Sequence, residues 1–221
     1  MQQIFEPIFH VFYLLSVFVM SIFMILAGRK ENNKFLLMFG IMGFTLGFGD
    51  SFHLIPRIYA LVTNGVEGLE IHATALGFGK LVTSITMTLF YLILFRIWEI
   101  RFNVKESKSL KLFIGVLVFA RVVLSLLPQN DWFNYDAPVS WGIYRNIPFV
   151  ILGALIVYLI LKEAYKNNDL TFKKIGYSVI ISFACYLPVV LFATTVRTVG
   201  FLMIPKTLAY LWIIYIGFKE I

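Results

Sequence analysis

Seven runs of mostly apolar residues, near 5–27, 35–61, 72–97, 110–127, 141–163, 175–196 and 199–218, take up nearly all of this 221-residue chain. Each is close to the length, about 20 residues, that a helix needs to cross the hydrocarbon core of a bilayer. Only 14% of the residues are charged, where a soluble domain carries roughly a quarter. The expectation is an all-α fold: a polytopic membrane protein built as one seven-transmembrane-helix bundle. No length is left for a sizeable soluble domain. The first apolar run follows Glu6 rather than a basic cluster, and no small-x-small cleavage site precedes Arg29 and Lys30. It is therefore expected to stay as the first span instead of leaving as a signal peptide.

Lys and Arg set the expected orientation. Alternate connections hold Arg29, Lys30 and Lys34, then Arg96, Arg101, Lys105, Lys108 and Lys111, then Lys162, Lys166, Lys173 and Lys174, with Lys219 after the last span. The opposite connections, 62–71 and 128–140, hold no Lys or Arg and carry Glu67, Glu70, Asp131 and Asp136. The positive-inside rule then places the N-terminus outside and the C-terminus in the cytoplasm. The composition suits a multi-pass protein of a bacterial plasma membrane. The net charge of +7 reflects this topology signal, and the bilayer, not nucleic acid, is the expected partner.

Six cations remain: Arg57, Lys80, Arg121, Arg145, Arg197 and Lys206. All map to the outer half or outer edge of a span, as do Glu6, Asp50 and the three histidines, His10, His53 and His72. A charge at the centre of a membrane helix costs roughly 2.5–3.5 kcal/mol on insertion scales, so such residues are rarely incidental. The second span concentrates them. At 100° per residue Asp50, His53 and Arg57 share one side, which Gly43 and Gly47 continue. Tyr144, Tyr186 and Tyr210 fall on the adjoining faces of later spans. Turned inward, these faces enclose a polar cavity in the outer-leaflet half.

Such a cavity has an excess of positive charge, which an anion offsets. The leading expectation is binding of an anionic amphiphile, a lipid or a small anion, with movement or processing of it as an extension. Arg57, Lys80, Arg121, Arg145, Lys206, Tyr144, Tyr186 and Tyr210 would contact the ligand, because Arg offers bidentate hydrogen bonds to phosphate or carboxylate and Lys a point charge. Asp50 and His53 would form a titratable, catalytic pair, or else Asp50 would pair with Arg57 structurally.

A second expectation is a metal-dependent hydrolase in which His10, His53 and His72 bind zinc and activate a water. Span number and the Asp50, Ser51 and His53 grouping resemble seven-span zinc hydrolases such as the alkaline ceramidases and progestin–adipoQ receptors. That family's paired histidines near the last span are missing, since no His follows His72. Lys206 in the last span is similar to the microbial rhodopsin outline, but the acidic residue four positions before that lysine is Leu202 here. A third expectation is a proton-coupled transporter or seven-span sensor using Asp50, His53, Glu6 and His10 as relay groups. Other features have simpler readings. The glycines Gly40, Gly43 and Gly47 admit a close neighbour helix, and Cys185, the single cysteine, is a packing residue. Trp132, Trp141, Tyr135 and Tyr144 form an outer aromatic belt, Trp98 its inner counterpart, and residues 96–111 lie along anionic headgroups.

Overall fold

The computed structural model describes residues 2–105, 107–192 and 195–221, without the side chains of Gln2 and Arg197. The reading of Arg197 as an interface residue thus lies outside the described side chains. The elements are α1 (Gln2–Lys30), α2 (Lys34–Asn64), a short α3 (Gly68–Ile71), α4 (Ala73–Phe102), α5 (Lys108–Leu126), α6 (Val139–Lys166), α7 (Leu170–Phe192) and α8 (Met203–Phe218). Short 3-10 segments occupy Pro128–Asn130 and Arg197–Leu202, and no strand occurs among the described residues. Seven helices are long and apolar enough to cross a membrane, the last counted from Thr198. By length and composition this is a multi-pass membrane protein.

The helices end where the sequence supplies a cap. Asn33 and Ser107 accept hydrogen bonds from the Leu36 and Leu110 amides at 3.2 Å, satisfying N–H groups that the first turns of α2 and α5 leave free. Gly65, at φ 66°, closes α2 in a backbone region that other residues enter with strain.

Neighbours in sequence pack antiparallel. Gly49 and Phe52 of α2 meet Thr86 and Gly79 of α4, and Gly153 and Leu161 of α6 meet Phe183 and Gly176 of α7. The most extensive seams are those of α2 with α1 and with α4. Glycine makes both possible. A Cβ on Gly40 would sit 2.8 Å from the Ser21 carbonyl of α1, and one on Gly79 would collide with the Phe52 carbonyl. Without a strong hydrophobic drive between helices in lipid, such close approach is what holds them together.

The half of the bundle near the basic connections holds much of the apolar core. Phe39, Phe90, Trp98, Ile156, Ile160, Phe172 and Ile213 are fully or almost fully buried there. Trp98 corrects the belt expectation: it is 1% exposed and stacks on Phe95. The stretch 96–111 is also less free than expected. Arg96 and Lys111 pair with Glu99 at 2.6 and 2.8 Å, while Arg101 reaches Asp169 at 2.8 Å and Glu220 at 3.6 Å, tying α4 to α5, to the start of α7 and to the C-terminus. On the outside, Leu112, Val116, Phe119, Val123 and Leu126 expose one apolar stripe of α5 at helical spacing, as a lipid-facing surface does. Cys185 is half-buried, not fully packed.

The seam generates a clear expectation. Gly79→Val should destabilise the protein by about 1–3 kcal/mol through overpacking against backbone that cannot move aside. Gly115→Val, with nothing within 4 Å of the added Cβ, should change stability by less than about 0.5 kcal/mol. Thermal unfolding of both variants in mild detergent checks the contrast.

Candidate functional site

In the other half, six helices draw apart around a chamber of about 320 Å3. His53 comes from α2; Lys80, Thr83, Ser84 and Met87 from α4; Arg121 from α5; Arg145, Asn146 and Phe149 from α6; Tyr186, Val189 and Val190 from α7; Met203, Lys206 and Tyr210 from α8. A vestibule of about 420 Å3 adjoins it, formed by helix ends and loops that include Glu6, Arg57, Leu69, Asn134 and Thr198. His53, Lys80 and Tyr135 line both spaces.

Four of the expected cations therefore converge, each held differently. Arg121 is 3% exposed; its Nη1 donates to the Arg145 carbonyl, and its guanidinium lies 5.0 Å from the Phe149 ring centre. Arg145 donates from Nη1 to Asn130 Oδ1 at 2.8 Å and lies 4.1 Å over Trp132. The Lys206 ammonium sits 4.8 Å from the Tyr186 ring and 5.8 Å from that of Tyr210. Aromatic faces attract cations modestly, by about 0.5–2 kcal/mol, and leave the charge in place. Lys80 projects into both spaces. None of the four makes an ion pair among the described residues, and no acidic side chain lines the chamber.

Tyr186 donates to Asn146 Oδ1 at 2.8 Å, and Tyr210 shares a 3.1 Å hydrogen bond with Tyr91. Both tyrosines thus stand at the chamber wall in fixed orientations. Tyr144 does not join them. It is 51% exposed and packs on Trp141, on the outside of α6.

Two expectations for the second helix are corrected by what stands beside it. Arg57 pairs with Glu6 at 3.1 Å, not with Asp50, because α1 runs alongside that face of α2. Arg57 lines the vestibule with its charge offset. Asp50 accepts a 2.6 Å hydrogen bond from Tyr13, again on α1, and does not line the chamber. No hydrogen bond joins it to His53, so the expected titratable pair is not assembled among the described residues. Only His53 of the three polar residues on α2 enters the chamber, with its Nδ1 buried and lacking a partner.

The histidines do not form a zinc set. His72 lies at the junction of α3 and α4 with its ring 5.2 Å from Tyr59, and His10 packs beside Phe9 at 5.8 Å. Among the described residues no three His, Cys, Asp or Glu side chains come close enough to hold a metal.

The residues that sequence reasoning missed are those that orient the cations. Asn130 is fully buried; its Nδ2 donates to the Leu124 and Leu127 carbonyls at 2.7 and 2.8 Å, leaving its oxygen for Arg145. Trp132, expected at the interface, folds inward: its Nε1 donates to the Ser125 carbonyl at 2.8 Å, and its own carbonyl lies against Gly77, where a Cβ would collide. Asn146 carried a weak signal, a side-chain amide next to Arg145 inside an apolar span. Asn130 carried none, because loop asparagines are ordinary turn residues.

No family model, curated protein or solved structure matches the chain.

Asn130→Ala should cost about 1–3 kcal/mol, since it strands the Leu124 carbonyl and one Arg145 N–H inside the bundle. Tyr144→Ala, on the exposed side of α6, should stay within about 0.5 kcal/mol of the parent. Melting temperatures in one detergent, measured side by side, decide whether the loop residue is structural to the site.

Proposed function

We propose that the protein binds an anionic amphiphile in this chamber. The observation that carries the reading is the convergence of Lys80, Arg121, Arg145 and Lys206 on a space with no carboxylate in its wall. Arg121 is buried and Arg145 and Lys206 are half-buried. Such cations without counter-charge inside a membrane protein are costly, and an anion between them offsets that cost. Arg121 and Arg145 supply planar donor forks, and the two lysines supply mobile point charges. Met87, Phe149, Val189, Val190 and Met203 give the same chamber an apolar wall suited to a hydrocarbon tail. The chamber and its vestibule fall in the range of small-molecule sites, roughly 300–1,000 Å3.

The direction of access follows from the charge pattern of the connections. With the basic connections in the cytoplasm, the chamber lies in the outer-leaflet half and the vestibule opens outward. The ligand then enters from the outer leaflet or the external medium. Binding is the role these residues support. Asp50 is hydrogen-bonded to Tyr13 and not to His53, so the two do not act as a hydrogen-bonded pair in this arrangement.

Two measurements test the reading. Native mass spectrometry in mild detergent should show an anionic amphiphile retained by the parent protein, with affinity about tenfold lower in Lys80→Ala and Lys206→Ala, as loss of one charge-assisted contact implies. Arg57→Ala should have a smaller effect, because Glu6 already offsets that guanidinium. Retention unchanged in both lysine variants would refute the site. For orientation, a Cys185→Ala background carrying either Glu67→Cys or Lys108→Cys is treated with a membrane-impermeant maleimide in intact cells. Labelling at position 67 and not at 108 is expected, and the reverse would invert the topology.

A further inference from the structure

The charge and donor inventory of the chamber narrows the headgroup, an inference that rests on the binding role proposed above. We propose that the headgroup is a phosphate monoester in preference to a carboxylate. Four cations line the chamber. Asp50 stands behind the wall, hydrogen-bonded to Tyr13, and does not line the chamber. A bound carboxylate neutralises one of the four and leaves three. A phosphate monoester carries about −1.5 to −2 at neutral pH, with three strong acceptor oxygens, and comes closest to balancing the site.

The donors agree with the charge count. Arg121 spends Nη1 on the Arg145 carbonyl, while its Nε is buried with no protein partner on a side chain only 3% exposed. Arg145 spends Nη1 on Asn130 and keeps the rest of its guanidinium. The Lys80 ammonium has three donors and no ion-pair partner among the described residues. The Lys206 ammonium faces two aromatic rings, which take no hydrogen from it in the ordinary sense. These donors come from α4, α5, α6 and α8, so they surround an acceptor on several sides. Three phosphate oxygens spread over such an arrangement; the two oxygens of a carboxylate lie in one plane and reach fewer of the four groups. A phosphate diester has the volume but only a single charge, and is disfavoured on the same count.

The phosphate chemistry is common to a lipid monoester entering sideways from the bilayer and to a soluble phosphate ester entering through the vestibule. The apolar wall favours the lipid. The test uses the parent protein in mild detergent with three probes, dodecyl phosphate, dodecanoate and glycerol 3-phosphate, in pairwise competition read by native mass spectrometry. Dodecyl phosphate should outcompete dodecanoate by about tenfold or more, the worth of one further charge-assisted hydrogen bond, and Lys80→Gln should shrink that ratio. Glycerol 3-phosphate binding as tightly as dodecyl phosphate supports the monoester headgroup and assigns it to a soluble source. Equal binding of dodecanoate and dodecyl phosphate overturns the headgroup assignment while the anionic-amphiphile reading stands. Binding of none of the three overturns both. Because the decisive comparison uses the parent protein, it does not depend on any variant folding.

Discussion

The structure depends on how positive charge is accommodated where water is scarce. A membrane bundle can bring a cation inside by pairing it with a carboxylate, by laying it over an aromatic ring or by capping it with backbone carbonyls and side-chain amides. This protein uses all three, and differently at each residue. Arg57 has Glu6. Arg121 has a carbonyl and a phenyl ring, and Arg145 has an amide and an indole. The last two groups of partners orient their guanidiniums without cancelling the charge. Lys80 has neither kind of partner, and Lys206 has only rings. The residual field is therefore concentrated in the chamber, and six helices and one loop are arranged around it.

The helix α2 acts as the spine that makes this division. One of its faces is a row of glycines against α1, on which Asp50 and Arg57 also lie; both find their partners, Tyr13 and Glu6, on that neighbour. The other face meets α4 closely enough for Thr83 to donate a hydrogen bond to the Gly49 carbonyl at 3.1 Å. His53 sits between the two seams and is the one polar side chain of that turn left to face the chamber. The polarity that singled out this segment thus serves mainly to fasten α1 to α2, and the charge that faces the chamber comes from the other helices.

The loop after α5 is the second structural element of the site. Asn130 and Trp132 fold back on the end of α5 and take up its carbonyls, which would otherwise face the bundle interior without donors. In doing so they present an amide oxygen and an indole face to Arg145. A buried loop is tolerated in a membrane protein where its backbone is satisfied by protein, and this one meets that condition. Gly77 gives the Trp132 backbone room to lie against α4.

What the sequence by itself determined is the class of fold and the half of it that matters. Seven apolar runs dictate seven helices because lipid leaves the backbone no other partner, and the cations cluster in one half of those runs because each is too costly to place without a purpose. The sequence also placed Lys80, Arg121, Arg145 and Lys206 in the same half of their apolar spans. Tertiary structure alone decided which charges stayed unbalanced. A helical wheel gives the direction of a side chain about its own axis, but not which helix stands on that side. Whether Arg57 met Asp50 or Glu6, whether Trp98 and Trp132 lay at an interface or inside, and whether three histidines met at one point were all questions of neighbour and distance. The same holds for Asn130, whose role comes from a loop folding back onto its own helix end and not from any pattern along the chain.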